Sequence, residues 1–319
     1  MKSKKDSAYT NGIIAVKEKR LLKDKLVKMC SLSFEEALRL LSESGFGGEE
    51  QEPEDMILAD ERDIDAFIRE YVPSKDAEEY LLSSRDFHNA KAAVKAHYLG
   101  SDVAPLLGSD GKFSADEIVK AVEEGNPQKL GAELVEAVKL ASDLLKGEKP
   151  SGAQVGFVFD KALFAYLDRV LKRVGVCRKL LVRRADMTNL LTYFRAESRE
   201  EAEKFVVGGG SVPPSKLACI FEGEDKAYRA FEDSEYRDFV KMLSAAREAH
   251  KPFTEAEKLL ESFEVDFFAE KPYELSGQGN FLYYVFRRRT ENENVRIVLV
   301  CLKAGLGEAE IKKRLRGRV

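Results

Sequence analysis

The chain has 319 residues, 34% of them charged and 44% apolar, with a formal net charge of −4 at pH 7. That length supports one sizeable core or two or three smaller ones, and the weakly acidic balance argues against a protein that coats nucleic acid. Cys30, Cys177, Cys219 and Cys301 are far apart and form no CxxC pair, which signals neither a disulfide framework nor a zinc site and fits a reducing compartment.

In chain order, the charged start Met-Lys-Ser-Lys-Lys-Asp is not followed by an apolar signal core. Residues 9–30 predict one helix, with Ala15, Leu22, Leu26 and Met29 available for one side. Phe34–Leu41 predicts the next, ended by Gly45-Phe-Gly-Gly48, since glycine commonly follows a helix end. Residues 49–55 are acidic and read as a solvated loop. Met56–Tyr71 and Asp76–Leu82 resume the helical period on either side of Pro73, which cannot continue a helix. Asn89–Leu99 is alanine-rich and places Ala90, Ala93, Val94 and His97 on one face.

Residues 100–111 form a loop. Leu134–Leu145 and Phe159–Val174 predict amphipathic helices, the second with Phe159, Leu163, Tyr166, Val170 and Val174 as a core-facing stripe. The glycine run 208–210 is a further break, and Glu232–His250 and Thr254–Phe268 are again helical around Pro252. Tyr273–Asn280 reads as a loop. Phe281–Phe286 has some strand character, but Arg287-Arg-Arg289 and a long helical continuation argue against a sheet. The fold class is therefore all-α. Phe157–Val174 is the most apolar stretch, and six charged residues break it well below the ~18 apolar residues a membrane span needs.

A repeat organises these elements. An asparagine opens a helical stretch four times: Tyr9-Thr-Asn11-Gly, Asp86-Phe-His-Asn89-Ala, Asp186-Met-Thr-Asn189-Leu and Glu291-Asn-Glu-Asn294-Val. In the last three an acid stands three residues earlier. After each asparagine comes a second signal, at Ser33-Phe-Glu-Glu36, Ser114-Ala-Asp-Glu117, Pro213-Pro-Ser and Gly307-Glu-Ala-Glu310. Three of these are a small or polar residue followed by acids, which marks a helix start; the prolines of the other are tolerated in a first turn. The units are too long for a solenoid repeat of ~20–50 residues. They fit three helical domains at 1–110, 111–209 and 210–319, and the recurring asparagine reads as a structural residue that satisfies backbone groups.

No catalytic constellation accompanies the repeat. Gly208-Gly-Gly-Ser211 lacks the Gly-Lys-Ser/Thr ending of a phosphate loop. His88, His97 and His250 form no HExxH or Cys/His cluster, Glu222-Gly-Glu-Asp225 lacks EF-hand spacing, and no GxSxG elbow is present. Neither cofactor nor metal is expected. Arg183, Arg184 and Arg287-Arg288-Arg289 precede two of the asparagines, and the basic segment 312–318 follows the last. These runs read as solvated helix faces or as a surface for acidic partners or lipid head groups. The competing classes are a helical adaptor that gathers proteins or RNA, and an enzyme whose site carries no known motif.

The Tyr9-x-Asn11 opening, Asp86-x-x-Asn89, Asp186-x-x-Asn189 and Asn294-Val-Arg-Ile-Val followed by Lys303-Ala-Gly-Leu-Gly-Glu-Ala-Glu-Ile-Lys-Lys-Arg-Leu315 together resemble the C subunit of prokaryotic V-type (A/V-type) ATPases, the family of the eukaryotic d subunit. The resemblance runs nearly end to end and is thinnest over 101–175. It implies three domains related by pseudo-threefold symmetry in a ring or funnel, one end receiving central-stalk subunits D and F and the other resting on the membrane proteolipid ring. It further implies a non-catalytic, torque-transmitting, peripheral protein at the cytoplasmic face, with no nucleotide, nucleic acid or small-molecule substrate of its own.

Overall fold

A computed structural model describes residues 7–22, 24–147 and 152–317. The charged start and Arg318 of the basic tail lie outside them. Among the described residues every regular element is helical. Contacts divide the chain into two compact units, residues 1–77 with 257–319, and residues 78–256.

The first unit contains Ser7–Lys17 (α1), Asp24–Met29 (α2), Phe34–Glu43 (α3), Pro53–Tyr71 (α4) and the start of Lys75–Leu99 (α5). Its core joins Leu22, Met29 and Leu41 to Met56, Val295 and Val298, so the N-terminal helices pack on the C-terminal ones. The single helix expected over 9–30 is broken between Lys17 and Asp24. The physical reason is tertiary: the Leu22 N–H donates to Glu291 Oε1 at 3.0 Å, and Leu21 and Leu22 are buried where the helix would have been continuous. Ala15 faces solvent instead of the core.

The second unit contains the rest of α5, then Ala115–Glu123 (α6), Ala132–Leu145 (α7), Gly152–Val170 (α8), Val176–Arg195 (α9), Arg199–Lys204 (α10), Pro214–Ala218 (α11), Glu224–Phe231 (α12), Arg237–Glu248 (α13) and the start of Thr254–Glu270 (α14). The first unit resumes within α14 and ends with Gln278–Lys303 (α15) and Glu308–Lys312 (α16). One core of the second unit gathers Phe87, Ala90 and Val94 with Ile118, Leu134, Val138 and Phe159. Ala90, Ala93 and Val94 are buried as expected, but His97 is exposed. In α8 the buried positions are Val155, Phe159, Phe164 and Leu167, while Val174 is 83% exposed. The expected stripe fails at its end because α8 stops at Val170 and a residue beyond the helix no longer follows its face.

Of the four helix starts read from sequence, those at Ser33 and Ser114 carry side-chain capping bonds, and those at Pro213 and Gly307 begin helices without one. Ser33 Oγ accepts from Glu36 N–H at 3.3 Å while Glu36 Oε2 accepts from Ser33 N–H at 2.9 Å. Ser114 and Glu117 do the same at 3.1 and 2.9 Å. Both are reciprocal capping boxes that satisfy two otherwise orphaned donors. Pro214 starts α11 and Gly307 precedes α16. The Phe281–Phe286 stretch lies inside α15.

Candidate functional site

The asparagines do not open helices. Asn89, Asn189 and Asn294 lie well inside α5, α9 and α15, and the backbone groups they satisfy belong to the chain that returns alongside. After α9 the segment beyond α10 comes back with no ladder partner for its amides. Asn189 supplies one: Nδ2 donates to the Val207 carbonyl at 3.0 Å and Oδ1 accepts from the Val207 N–H at 2.9 Å. Asparagine suits this because its amide carries donor and acceptor at one tip. Asn294 does the same to Arg316, at 2.9 and 2.7 Å. Asn89 bonds two adjacent residues, accepting from Gly108 N–H at 2.8 Å and donating to the Ser109 carbonyl at 3.3 Å. Asn11 differs; its Oδ1 accepts from the Asn280 side chain at 3.2 Å.

The acids three residues earlier share a helix face with the asparagines and hold a second point of backbone. Asp86 accepts from Lys112 and Phe113 N–H groups at 3.2 and 3.1 Å. Asp186 accepts from Ser211 and Val212 N–H groups at 2.8 and 2.9 Å, from Ser211 Oγ at 2.7 Å and from the Tyr236 hydroxyl at 2.9 Å. The residue just before each pair is glycine. A Cβ at Gly111 would stand 2.2 Å from Asp86 Oδ1, and one at Gly210 2.4 Å from Asp186 Oδ1. Burial pushes the Asp86 carboxyl up to about 6 against the pull of its two N–H donors. Burial, then the adjacent Asp186 charge, raises the Tyr236 phenol.

A polar cluster braces the second unit beside Asp86. Lys112 Nζ donates to Glu79 Oε2 at 3.0 Å and to the Tyr166 hydroxyl at 2.8 Å, and Tyr166 donates to Glu79 at 2.7 Å. Burial works to raise Glu79, but these donors outweigh it and hold the carboxyl below its usual range.

The five arginines occupy different settings. Arg183, with its side chain 13% exposed, lies 3.6 Å from Glu235. Arg184 and Arg289 are half-buried. Arg287 is half-buried, with its guanidinium 5.4 Å above the Tyr283 ring. Arg288 is buried and bonded to Asp60, to Asp63 at 3.3 Å and to the Tyr284 hydroxyl at 2.9 Å. Burial opposes its charge, and Asp60 and Tyr284 outweigh that and raise it above its ordinary range.

Among the described residues no group of three or more His, Cys, Asp or Glu side chains could hold a metal ion, and no helix is long and apolar enough to cross a membrane. The model of one protein family, ATP synthase (C/AC39) subunit, matches residues 10–314. The chain belongs to that family. Within it, the chain is similar to the C subunit of a V-type sodium ATPase from Enterococcus hirae, 19% identical over 257 residues, 78% of this chain and 77% of that one. It is also similar to the C subunit of a V-type ATP synthase from Thermus thermophilus, 26% identical over 234 residues, 69% of this chain and 72% of that one.

For this member of the C/AC39 family, sequence reasoning found the Asp/Glu-x-x-Asn signature but missed several of its partners. Gly111 and Gly210 were within reach, because each follows its acid at nearly the same distance and stands shortly before a helix start marked in the sequence, Ser114 in one case and Pro213-Pro214 in the other. Tyr236, Glu79 and Asp60 carried no such signal; each is defined by a contact remote in sequence.

Proposed function

We propose that this C/AC39 family member is a non-catalytic coupler of a rotary V-type ATPase or ATP synthase. It joins central-stalk subunits D and F to the membrane proteolipid ring at the cytoplasmic face and passes torque, and with it ion transport, between them. Membership of the family supports the setting. The observation that supports the mechanical role is the bracing of α5, α9 and α15, each tied through an acid and an asparagine to backbone remote in sequence. A part that transmits torque must resist shear, and side-chain bonds that fix a helix to loop backbone at two points one turn apart oppose sliding and rotation together. We read Asp86–Asn89, Asp186–Asn189 and Glu291–Asn294 as three copies of one device, one in each of the divisions 1–110, 111–209 and 210–319, set around a ring or funnel.

The test is reconstitution. ATP hydrolysis and ion transport are measured in complexes with and without this protein. The expected result is that the catalytic head hydrolyses ATP alone, the ring binds the head only when the protein is present, and transport requires it. Transport by a complex lacking it would overturn the reading.

A further inference from the structure

Residues 7–16, most of α1, include no Asp, Glu, Lys or Arg. Thr10 and Ile14 are buried against the first unit, with the Thr10 hydroxyl donating to the Tyr71 carbonyl at 3.3 Å. Ala8, Tyr9, Gly12, Ala15 and Val16 all face solvent. At 3.6 residues per turn those five fall on one stripe, on the side of the helix away from Thr10 and Ile14. Tyr9 is 54% and Val16 67% exposed, and a Cβ at Gly12 would meet nothing within 4 Å. A helix lying on a globular unit ordinarily turns charged and polar residues outward; α1 turns out an aromatic ring, a valine and small residues. The surroundings of this stripe are basic. Lys19 and Arg20 are exposed just past the end of α1, while Lys17 is turned inward, 3.7 Å from Asp63 and 5.5 Å from the centre of the Phe67 ring. Residues 1–20 together hold six Lys and Arg against two Asp and Glu, a net charge of +4 in a chain whose total is −4.

We propose that the outer face of α1 rests on an anionic phospholipid surface, with Tyr9 and Val16 entering the boundary between head groups and acyl chains and Lys19 and Arg20 meeting lipid phosphates. The coupler reading sets the protein beside a membrane through a proteolipid ring; the lipid contact goes beyond that reading and holds without it. Apolar side chains gain by leaving water for that boundary, and basic side chains close to it gain from the negative surface potential. Tyrosine suits the position, because its ring is apolar while its hydroxyl stays wet. Nucleic acid would use the basic residues and leave the apolar stripe in water. Among the described residues no helix is long and apolar enough to cross a membrane, so the contact is that of a helix lying on the surface, held from behind by the first unit.

The full chain is sedimented at low salt with phosphatidylcholine vesicles, with and without phosphatidylglycerol. Wild type is expected to bind the vesicles that contain phosphatidylglycerol and not the others. Binding should weaken about tenfold in V16E, which sets a carboxylate on the stripe, and about fivefold in K19E. Y228E, at a tyrosine 44% exposed in the second unit, should bind as wild type does. Thermal melts of all three should match wild type, since exposed substitutions cost little. The chain has no tryptophan, so V16W places a single reporter on the stripe; its emission should shift to the blue on anionic vesicles and be quenched by bromine on the acyl chains. No binding, equal binding to both vesicle types, full binding by V16E, or an unquenched V16W would each overturn the proposal. A wild-type dimer dissociated by V16E would give the stripe to a second copy of the chain. A V16E that binds vesicles fully but fails to re-associate with a purified V-type complex would give it to another subunit, and either result would overturn the lipid contact. The vesicles carry no other subunit, so their failure leaves the coupler reading untouched, whereas failure of wild type to re-associate with the complex would sink the coupler reading and leave the lipid contact standing.

Discussion

Asp60 and Arg288 form an ion pair withdrawn from solvent, with side chains 10% and 5% exposed, linking α4 to α15. Removing one member of such a pair leaves a buried charge uncompensated, which costs about 3–5 kcal/mol. R288A is therefore expected to lower unfolding stability by that order in urea titration. R287A, one residue away and half-buried over Tyr283, is expected to change it by less than about 1 kcal/mol. Equal effects of the two would show that the pair contributes nothing beyond ordinary surface contact.

The approach of Gly111 to Asp86 and of Gly210 to Asp186 leaves no room for a methyl group. G111A and G210A must displace a carboxylate that holds two backbone N–H groups, and each is expected to destabilise by roughly 1–3 kcal/mol. G12A is the control. A Cβ there meets nothing within 4 Å, and alanine within a helix gains about 0.5–1 kcal/mol over glycine. Denaturation midpoints should thus move in opposite directions. A neutral G210A would mean that the loop shifts without losing its bonds.

Asn189 is 4% exposed and both ends of its amide are bonded to Val207. N189L removes both bonds and strands a buried N–H and carbonyl, at a cost of roughly 2–4 kcal/mol. N189D keeps the acceptor but sets a carboxylate against the Val207 carbonyl, so it should be destabilised at neutral pH and partly restored by acid. Slow amide exchange at Val207 should be lost in N189L and retained in wild type. Retained protection in N189L would show that the loop is held without the amide.

Two carboxyls near Lys112 should titrate in opposite senses. Asp86 is raised from 3.8 to about 6 by burial, so the folded chain binds its proton more readily than the unfolded chain. Its contribution to stability is full below about 3.8 and is lost as pH rises through about 6. Glu79 is held below its ordinary 4.5 despite burial, by Tyr166 and Lys112. Its contribution is present above 4.5 and lost as pH falls through the lowered folded value. Carboxyl ¹³C titration should place Asp86 near 6 and Glu79 under 4.5. An Asp86 midpoint near 4 would show that its two N–H donors prevail over burial.

What could be read in advance follows the range of the interaction. The boxes Ser33–Glu36 and Ser114–Glu117 lie within one turn, so their residues announce the helix start. The all-α class rests on local periodicity and was equally legible. The Asp/Glu-x-x-Asn spacing was visible, but its purpose was not, because Val207, Arg316 and Gly108 come near only through the return of the chain. For the same reason nothing near Leu22 announced the break after α1, since the competing acceptor, Glu291, belongs to the other end of the chain. Arg287 and Arg288 are indistinguishable as sequence, and helix phase alone turns one toward the surface and the other toward Asp60.

Those phases sharpen the test of the proposed coupling surface. Replacing Arg183, Arg184, Arg287, Arg288 and Arg289 together would spare the fold only if all five were surface residues, whose substitution usually costs little. The burial of Arg288 removes that expectation, and a glutamate there would place a third carboxylate beside Asp60 and Asp63. Arg183 is also drawn inward, toward Glu235. Arg287 is the member whose guanidinium combines partial exposure with a ring platform, an arrangement that pre-orients a cation for an acidic partner. R287E is therefore expected to leave the thermal melt nearly unchanged and to weaken assembly into the V-type complex, more at low salt than at high salt, because exposed charge pairs are screened as the Debye length shortens. ATP hydrolysis by the head should persist while ion transport per ATP falls. Assembly and transport equal to wild type at low salt would remove Arg287 from the coupling surface and leave its stacking on Tyr283 as its role.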